Sequence, residues 1–312
     1  MTIKLRTVTR TQGNNLALKD GSVAPDGYLL DFEEVPVLIQ AFRRMVRGLE
    51  FDVCEMAITT YLCAKAHGKA LTALPVFLVR DFHHGAVVHD PATGLTGPAD
   101  LAGRRVGVNR GYTVTTGVWA RGILQDEYGV DPAGVTWVLS GDEHVAEYDP
   151  PANVVPMPPG ASVEALTASG ELAAAIGVTG PGLEPLIPDA KEAGFAALRR
   201  SGHYPINHLV VVKDELLDAH PGLAVAVFEA FAEAKRLYVE QLRAGSIAEP
   251  APADERYRRV MEITGADPLP YGVEPNRAMI DQLIRYAVRQ RILDRVPAYE
   301  DLFAEGTLGL VG

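Results

Sequence analysis

Between Phe51 and His89 a carboxylate, a guanidinium and two imidazoles, Glu55, Arg80, His83 and His84, are set into apolar segments that read as buried strands. Ionised side chains in such places are costly unless paired or put to use. An arginine can hold a carboxylate through two parallel hydrogen bonds. A histidine titrates near neutrality and can hand over a proton. Together they suggest a site that binds an organic anion and moves a proton. Glu55 falls at the C-terminal end of a predicted parallel strand, where open α/β sheets place their ligand crevice. The plainer alternatives are a helix cap or surface carboxylate at Glu55 and a solvated loop at Arg80–His84.

Two further runs carry polar groups at the edges of elements. His203-Tyr204-Pro205-Ile206-Asn207-His208 stands before a buried strand, with hydrogen-bonded hinge residues as the plainer alternative. Asn109 to Thr116 turns into a helix, where Thr113, Thr115 and backbone N–H groups can hold an anion and Arg110 can clamp it. Helix capping alone is the alternative there. Glu143, His144 and Tyr148 form a weaker cluster, expected at the surface. The spacing of His83, His84, His89, His203 and His208 matches no standard metal site, so no metal is expected. GxSxG, HExxH and nucleotide-binding patterns are missing.

The chain that must position these groups has 312 residues, 47% of them hydrophobic, enough for two lobes with separate cores. Its net charge of −11 argues against nucleic acid and anionic membranes as partners. An anionic substrate then needs a local basic site. Cys54 and Cys63 form no CxxC pattern and read as buried thiols of a reducing compartment. The first ten residues resemble no secretory signal, and no run of about 18 apolar residues occurs. A cytoplasmic location is expected, and a homo-oligomer is compatible with the sequence.

Hydrophobic periodicity predicts strands at Ile3–Arg10, Tyr28–Phe32, Phe51–Met56, Leu71–Val79 and Ala86–His89, with helices at 35–49 and 59–67. Pro91–Pro98 reads as a linker or hinge. Strands at 105–108, 135–139 and 172–178 then alternate with helices at 115–128 and 162–168, an order that implies a parallel sheet. A helix–turn–strand theme at 42–56 recurs at 163–177. The 209–212 strand can return to the first sheet, before long helices near 221–243, 253–264 and 275–291. This gives a lobe of residues 1–97 and 207–312, a second of 98–206, two crossings and a cleft between them.

The runs FDVCEMAITTYL, LPVFLVRDFHH, GRRVGVNRGYTVTTGVWARGILQDEYGV, HYPINHLVVVK and DPLPYGVEPNRAMIDQLIRYAVRQ resemble the 4,5-dihydroxyphthalate decarboxylase family over most of the chain. The stretches from Trp119 to Val130 and from Pro270 to Arg277 are the most specific. The resemblance implies a type II periplasmic-binding-protein-like fold, with two lobes of mainly parallel sheet flanked by helices. It also implies non-oxidative decarboxylation of a hydroxylated aromatic dicarboxylate to protocatechuate or a close analogue, without an organic cofactor. The chain departs from the family pattern at Asn109–Tyr112, His83–His84 and Asn207, so a sibling substrate fits equally.

The implied chemistry needs an acid near the ring carbon, a base near the para hydroxyl and cations for the carboxylates. His84 or His208 is expected as proton donor and Glu55 as the group handling the phenol. Arg80, His83, Arg110, Thr113, Thr115, His203, Tyr204 and Asn207 are expected to bind substrate. A different class, a solute-binding protein capturing a small organic anion for an ABC transporter, would use the same fold.

Overall fold

The computed structural model describes residues 2–312. The strands are β1 (Ile3–Val8), β2 (Tyr28–Phe32), β3 (Val53–Ala57), β4 (Leu71–Arg80), β5 (Val87–His89), β6 (Arg105–Val108), β7 (Thr136–Leu139), β8 (Val154–Pro156), β9 (Ala174–Ile176), β10 (Glu184–Pro185) and β11 (Ile206–Lys213). They form two sheets, ordered β2-β1-β3-β11-β4 and β10-β5-β9-β6-β7-β8. The chain divides into two compact units. Unit one comprises the residues up to Arg80, Ile206–Ala278 and Pro297–Gly312; unit two comprises Asp81–Pro205 and Met279–Val296.

In unit one β1 pairs in parallel with β2 and β3. The returning strand β11 is antiparallel to both β3 and β4 and lies between them. Strands covered on both faces read as continuous apolar runs rather than alternations, and VCEMA in β3 and most of LTALPVFLVR in β4 are buried accordingly. Glu55 is the one charged residue of β3 and has no exposed surface. The helix Leu38–Gly48 turns Leu38, Ala41, Phe42, Met45 and Val46 inward at helical spacing.

In unit two β6, β7, β8 and β9 run parallel, and β5 joins antiparallel at β9, with β10 antiparallel beyond it. The helix Thr115–Tyr128 follows β6 and ends where Gly129 takes the left-handed conformation, the commonest way to close a helix. Ser162 caps Val163–Ala168 by accepting a hydrogen bond from the Ala165 N–H.

The unit boundaries differ from those expected at 97/98 and 206/207. β5 hydrogen-bonds to β9 and β10, so residues 81–97 belong to unit two, and Pro91–Pro98 is a surface turn inside that unit rather than a hinge. Most of the helix Arg277–Arg289 also joins unit two, because Tyr286 and Gln290 bond to the 115–128 helix. The chain therefore passes between units four times, at 80/81, 205/206, 278/279 and 296/297, rather than twice. The first sheet is also less parallel than expected, since β11 enters it reversed. The helix Ala190–Ser201 was not anticipated. Gly194 interrupts its apolar pattern, and a Cβ there would meet the ring of Phe82. Among the described residues no helix is long and apolar enough to cross a membrane.

Candidate active site

The groups expected to act together are distributed over the two units. Glu55, Arg80, Asn207 and His208 belong to unit one; His83, His84, Arg110, Thr113, Thr115, His203 and Tyr204 belong to unit two.

In unit one Glu55 stands in the middle of β3, not at its end. β3 and β11 are neighbours, with Val210 opposite Glu55 and His208 opposite Ala57. Glu55 and His208 are thereby brought together, and His208 Nδ1 lies 2.6 Å from Glu55 Oε1. The other oxygen, Oε2, accepts the Arg10 backbone N–H at 2.8 Å. Glu55 is wholly buried, while the His208 side chain keeps 18% of its surface exposed. Phe42 packs edge-on against the imidazole, with ring centroids 5.2 Å apart. A carboxylate with both oxygens engaged fixes the ring by its Nδ1 side and leaves Nε2 as the working nitrogen. Arg80 closes β4 and is buried, donating from Nη2 to Asn276 Oδ1. Asn276 is held in turn by the Pro270 and Gly272 carbonyls.

In unit two His83 and His84 are buried, which sets aside the alternative of a solvated loop at these residues. His84 has no exposed surface, and its Nε2 lies 3.2 Å from Glu127 Oε1. Arg200 bonds the other Glu127 oxygen at 3.0 Å. Burial works against the Glu127 charge, but the bonds to His84 and Arg200 prevail and hold the carboxyl below its ordinary range. His203 is 3% exposed, bonds Gln282 through Nδ1 and packs edge-on against Trp119. Burial pushes its pKa below the usual imidazole value. Tyr204 is buried beside Phe82.

The turn before the 115–128 helix does hold a carboxylate, supplied by the chain itself. Glu143 Oε1 accepts the Tyr112 N–H, and Oε2 accepts the Thr113 hydroxyl at 2.6 Å and its N–H at 3.2 Å. A Cβ at Gly111 would lie 2.5 Å from Glu143 Oε2. Glu143, His144 and Tyr148 are thus largely buried rather than on the surface. Arg110 takes a positive φ of 70° and donates its backbone N–H to Ser140 Oγ at 2.7 Å; its half-buried guanidinium is held below its ordinary pKa by desolvation. Thr115 opens the helix and is buried.

Several residues carrying these arrangements were not singled out from the sequence. Arg121 is wholly buried, bonding the Tyr112 carbonyl at 2.6 Å and Gln290 at 2.8 Å over the Tyr112 ring. Its signal was a lone arginine among the apolar positions of a buried helix. Glu127, Asn276 and Arg10 gave only weaker signals, a helix end, a turn and a strand exit. Among the described residues no group of three His, Cys, Asp or Glu side chains is arranged to hold a metal ion.

No family model matches the chain. It is 29% identical over 290 residues to a 4,5-dihydroxyphthalate decarboxylase of Comamonas testosteroni, covering 86% of each chain. A 4,5-dihydroxyphthalate decarboxylase of Pseudomonas putida is 34% identical over 177 residues, which cover 53% of this chain and 66% of that one. Among solved structures, the periplasmic aliphatic sulphonate binding protein SsuA of Escherichia coli superposes with a TM-score of 0.54 at 14% identity, over 97% of this chain and 91% of that one. The desulfurization enzyme DSZB does so at 0.53 and 15%, over 98% and 97%. The fold is thus that of the periplasmic binding proteins, and by sequence the chain is related to the 4,5-dihydroxyphthalate decarboxylase family.

Proposed function

We propose that the protein is a carboxy-lyase acting on a hydroxylated aromatic dicarboxylate of the 4,5-dihydroxyphthalate type, with His208 as proton donor. The observation that carries the assignment is the Glu55–His208 pair: a fully buried carboxylate 2.6 Å from a partly exposed imidazole. His84, the other candidate donor, has no exposed surface and is tied to Glu127, so it serves as a positioning residue of unit two. Glu55 has both oxygens occupied and acts through His208 rather than on the substrate's phenol.

The imidazolium of His208 donates a proton from Nε2 to the ring carbon bearing the carboxylate. Electrons from the hydroxyl para to that carbon compensate the broken aromaticity. The bond to the carboxylate then cleaves, its electron pair returns to the ring and CO2 leaves. The neutral imidazole regains its proton from solvent, so one proton is consumed per CO2 released. Proton transfer of this kind contributes on the order of 10²–10⁴-fold, and the remainder falls to electrostatic placement of the carboxylates.

The test is incubation of the purified protein with a series of hydroxylated phthalates, following CO2 and the decarboxylated phenol. His208→Asn is expected to lower kcat by about 10²–10⁴-fold with an unchanged circular dichroism spectrum. Glu55→Gln is expected to lower it less and to shift the pH profile of kcat/KM. Near wild-type turnover by His208→Asn would remove His208 as donor. Tight binding of these compounds without CO2 release would make the protein a binder of aromatic anions instead.

A further inference from the structure

Lys19 closes the short helix Leu16–Lys19, and its side chain is only 11% exposed. A lysine ordinarily keeps its ammonium in water. An ion pair with a carboxylate as exposed as Glu34 contributes little and does not account for drawing the ammonium inward. What the ammonium reaches inside is the Thr9 carbonyl, at 2.8 Å. That carbonyl belongs to the same peptide unit as the Arg10 N–H, which holds Glu55 Oε2 at 2.8 Å. The C=O and N–H of a trans peptide point in opposite directions within one plane. Lys19 therefore stands at one end of this peptide and Glu55 at the other, and Glu55 leads on to His208 Nδ1.

The peptide is also held against turning. Asn15 is wholly buried; its Nδ2 donates to the Arg10 carbonyl at 2.8 Å and to the Thr9 hydroxyl at 3.2 Å, and its Oδ1 accepts the Gln12 N–H at 2.8 Å. A Cβ at Gly13 would overlap the Tyr238 ring, so the turn bearing Asn15 lies hard against the helix Leu223–Ala244. The Lys19 ammonium is steadied in turn by the Phe32 ring, whose centroid is 5.1 Å away. An ammonium at the carbonyl end polarises the amide and makes its N–H a stronger donor. A carboxylate as buried as Glu55 depends on such donors.

We propose that Lys19 is a positioning residue of the reaction. It acts through the Thr9–Arg10 peptide to keep Glu55 aligned on His208, so that the Nδ1 proton stays on the Glu55 side and Nε2 remains the working nitrogen. The proposal rests on the decarboxylase reading for its effect on turnover, but not for its effect on the imidazole.

The experiment compares wild type with Lys19→Met, which keeps the stem and loses the ammonium, and Lys19→Arg, which keeps a charged donor. Lys4→Met, which breaks an exposed ion pair with Asp31 in the same unit, is the control. Each is followed by steady-state kinetics with 4,5-dihydroxyphthalate and by nitrogen NMR of histidine-labelled protein at alkaline pH, where imidazoles are neutral. The His208 signals are assigned by their loss in His208→Asn. Wild type and Lys4→Met are expected to carry the His208 proton on Nδ1. Lys19→Met should admit the Nε2–H tautomer and lower kcat by about 10- to 100-fold, as a displaced catalytic group does, with KM changed far less. Lys19→Arg should recover part of both effects. In the Glu55→Gln background Lys19→Met should lower kcat little further, since the two act through one chain of bonds. A wild-type tautomer in Lys19→Met overturns the proposal and, where wild type is active, leaves the decarboxylase reading intact. The same tautomer change in Lys4→Met, or a full further loss in the Glu55→Gln background, overturns it too by assigning the effect to the fold at large. If wild type releases no CO2 and Lys19→Met still alters the tautomer, the link from Lys19 to His208 stands and the decarboxylase reading falls.

Discussion

At the scale of single residues, ionisable groups inside this protein divide by what holds them. Glu55 and Glu143 each receive hydrogen bonds to both oxygens, whereas His203 donates one hydrogen bond from Nδ1 to Gln282 Oε1 and packs edge-on against the Trp119 ring. For His203 burial and the nearby His84 and Arg200 disfavour the charged form, while Gln282 and Glu127 favour it; burial prevails and the native pKa is lowered. As pH falls below the ordinary imidazole value of about 6.5, the unfolded chain takes up a proton that native His203 refuses. Stability is therefore lost from there down to the lowered native pKa, and His203 contributes no pH dependence above it. His203→Gln should flatten the decline in Tm between pH 6.5 and 5, measured by thermal scans in matched buffers; an unchanged slope would assign that decline elsewhere. The sequence made these histidines visible as candidates but not their separation. Arg80 and His84 are four residues apart, yet the unit boundary falls between them, and no local pattern carries that information. Glu55 with His208 depends on β11 lying beside β3; the apolar 209–212 run suggested only a return to the first sheet, and the register specifies the neighbour.

At the scale of elements, strands and long helices were legible because their periodicity and end signals agree. Tyr28–Phe32, Arg105–Val108 and Thr115–Tyr128 form as expected, the last closed by Gly129. What stayed hidden was packing that contradicts propensity, as at Gly194 under Phe82. The same conflict gives a quantitative test within the 115–128 helix. Gly122 is buried, and a Cβ there would meet the Tyr286 ring. Replacing helical glycine by alanine ordinarily gains about 0.5–1 kcal/mol, whereas forcing a methyl into a packed contact costs about 1–3 kcal/mol. The overpacking is the larger effect, so Gly122→Ala should destabilise the protein by about 1 kcal/mol or more, read from the denaturant midpoint at unchanged m. A rise in the midpoint would mean that the ring yields without cost.

At the scale of the whole molecule, the divided path of the chain sets what each unit needs in order to fold. Arg121 lies within 81–205 but relies on Gln290, which comes after Ala278 in sequence. A hydrogen bond to a charged group contributes about 1.5–3 kcal/mol, and leaving the buried donor unmatched forfeits it. A fragment of residues 81–205 should therefore lack cooperative thermal unfolding, and adding a peptide of residues 279–296 should restore it, as followed by near-ultraviolet circular dichroism. A cooperatively folded 81–205 fragment would show that the contribution of the C-terminal helix is dispensable. The position of β11 has a further consequence during synthesis. β3 and β4 leave the ribosome early, but the strand that bonds to both follows the whole of residues 81–205. At about 5–20 residues per second the nascent chain waits roughly ten seconds for it. For that interval two of its most apolar strands have unpaired edges, so the demand for chaperone protection falls on the first 80 residues.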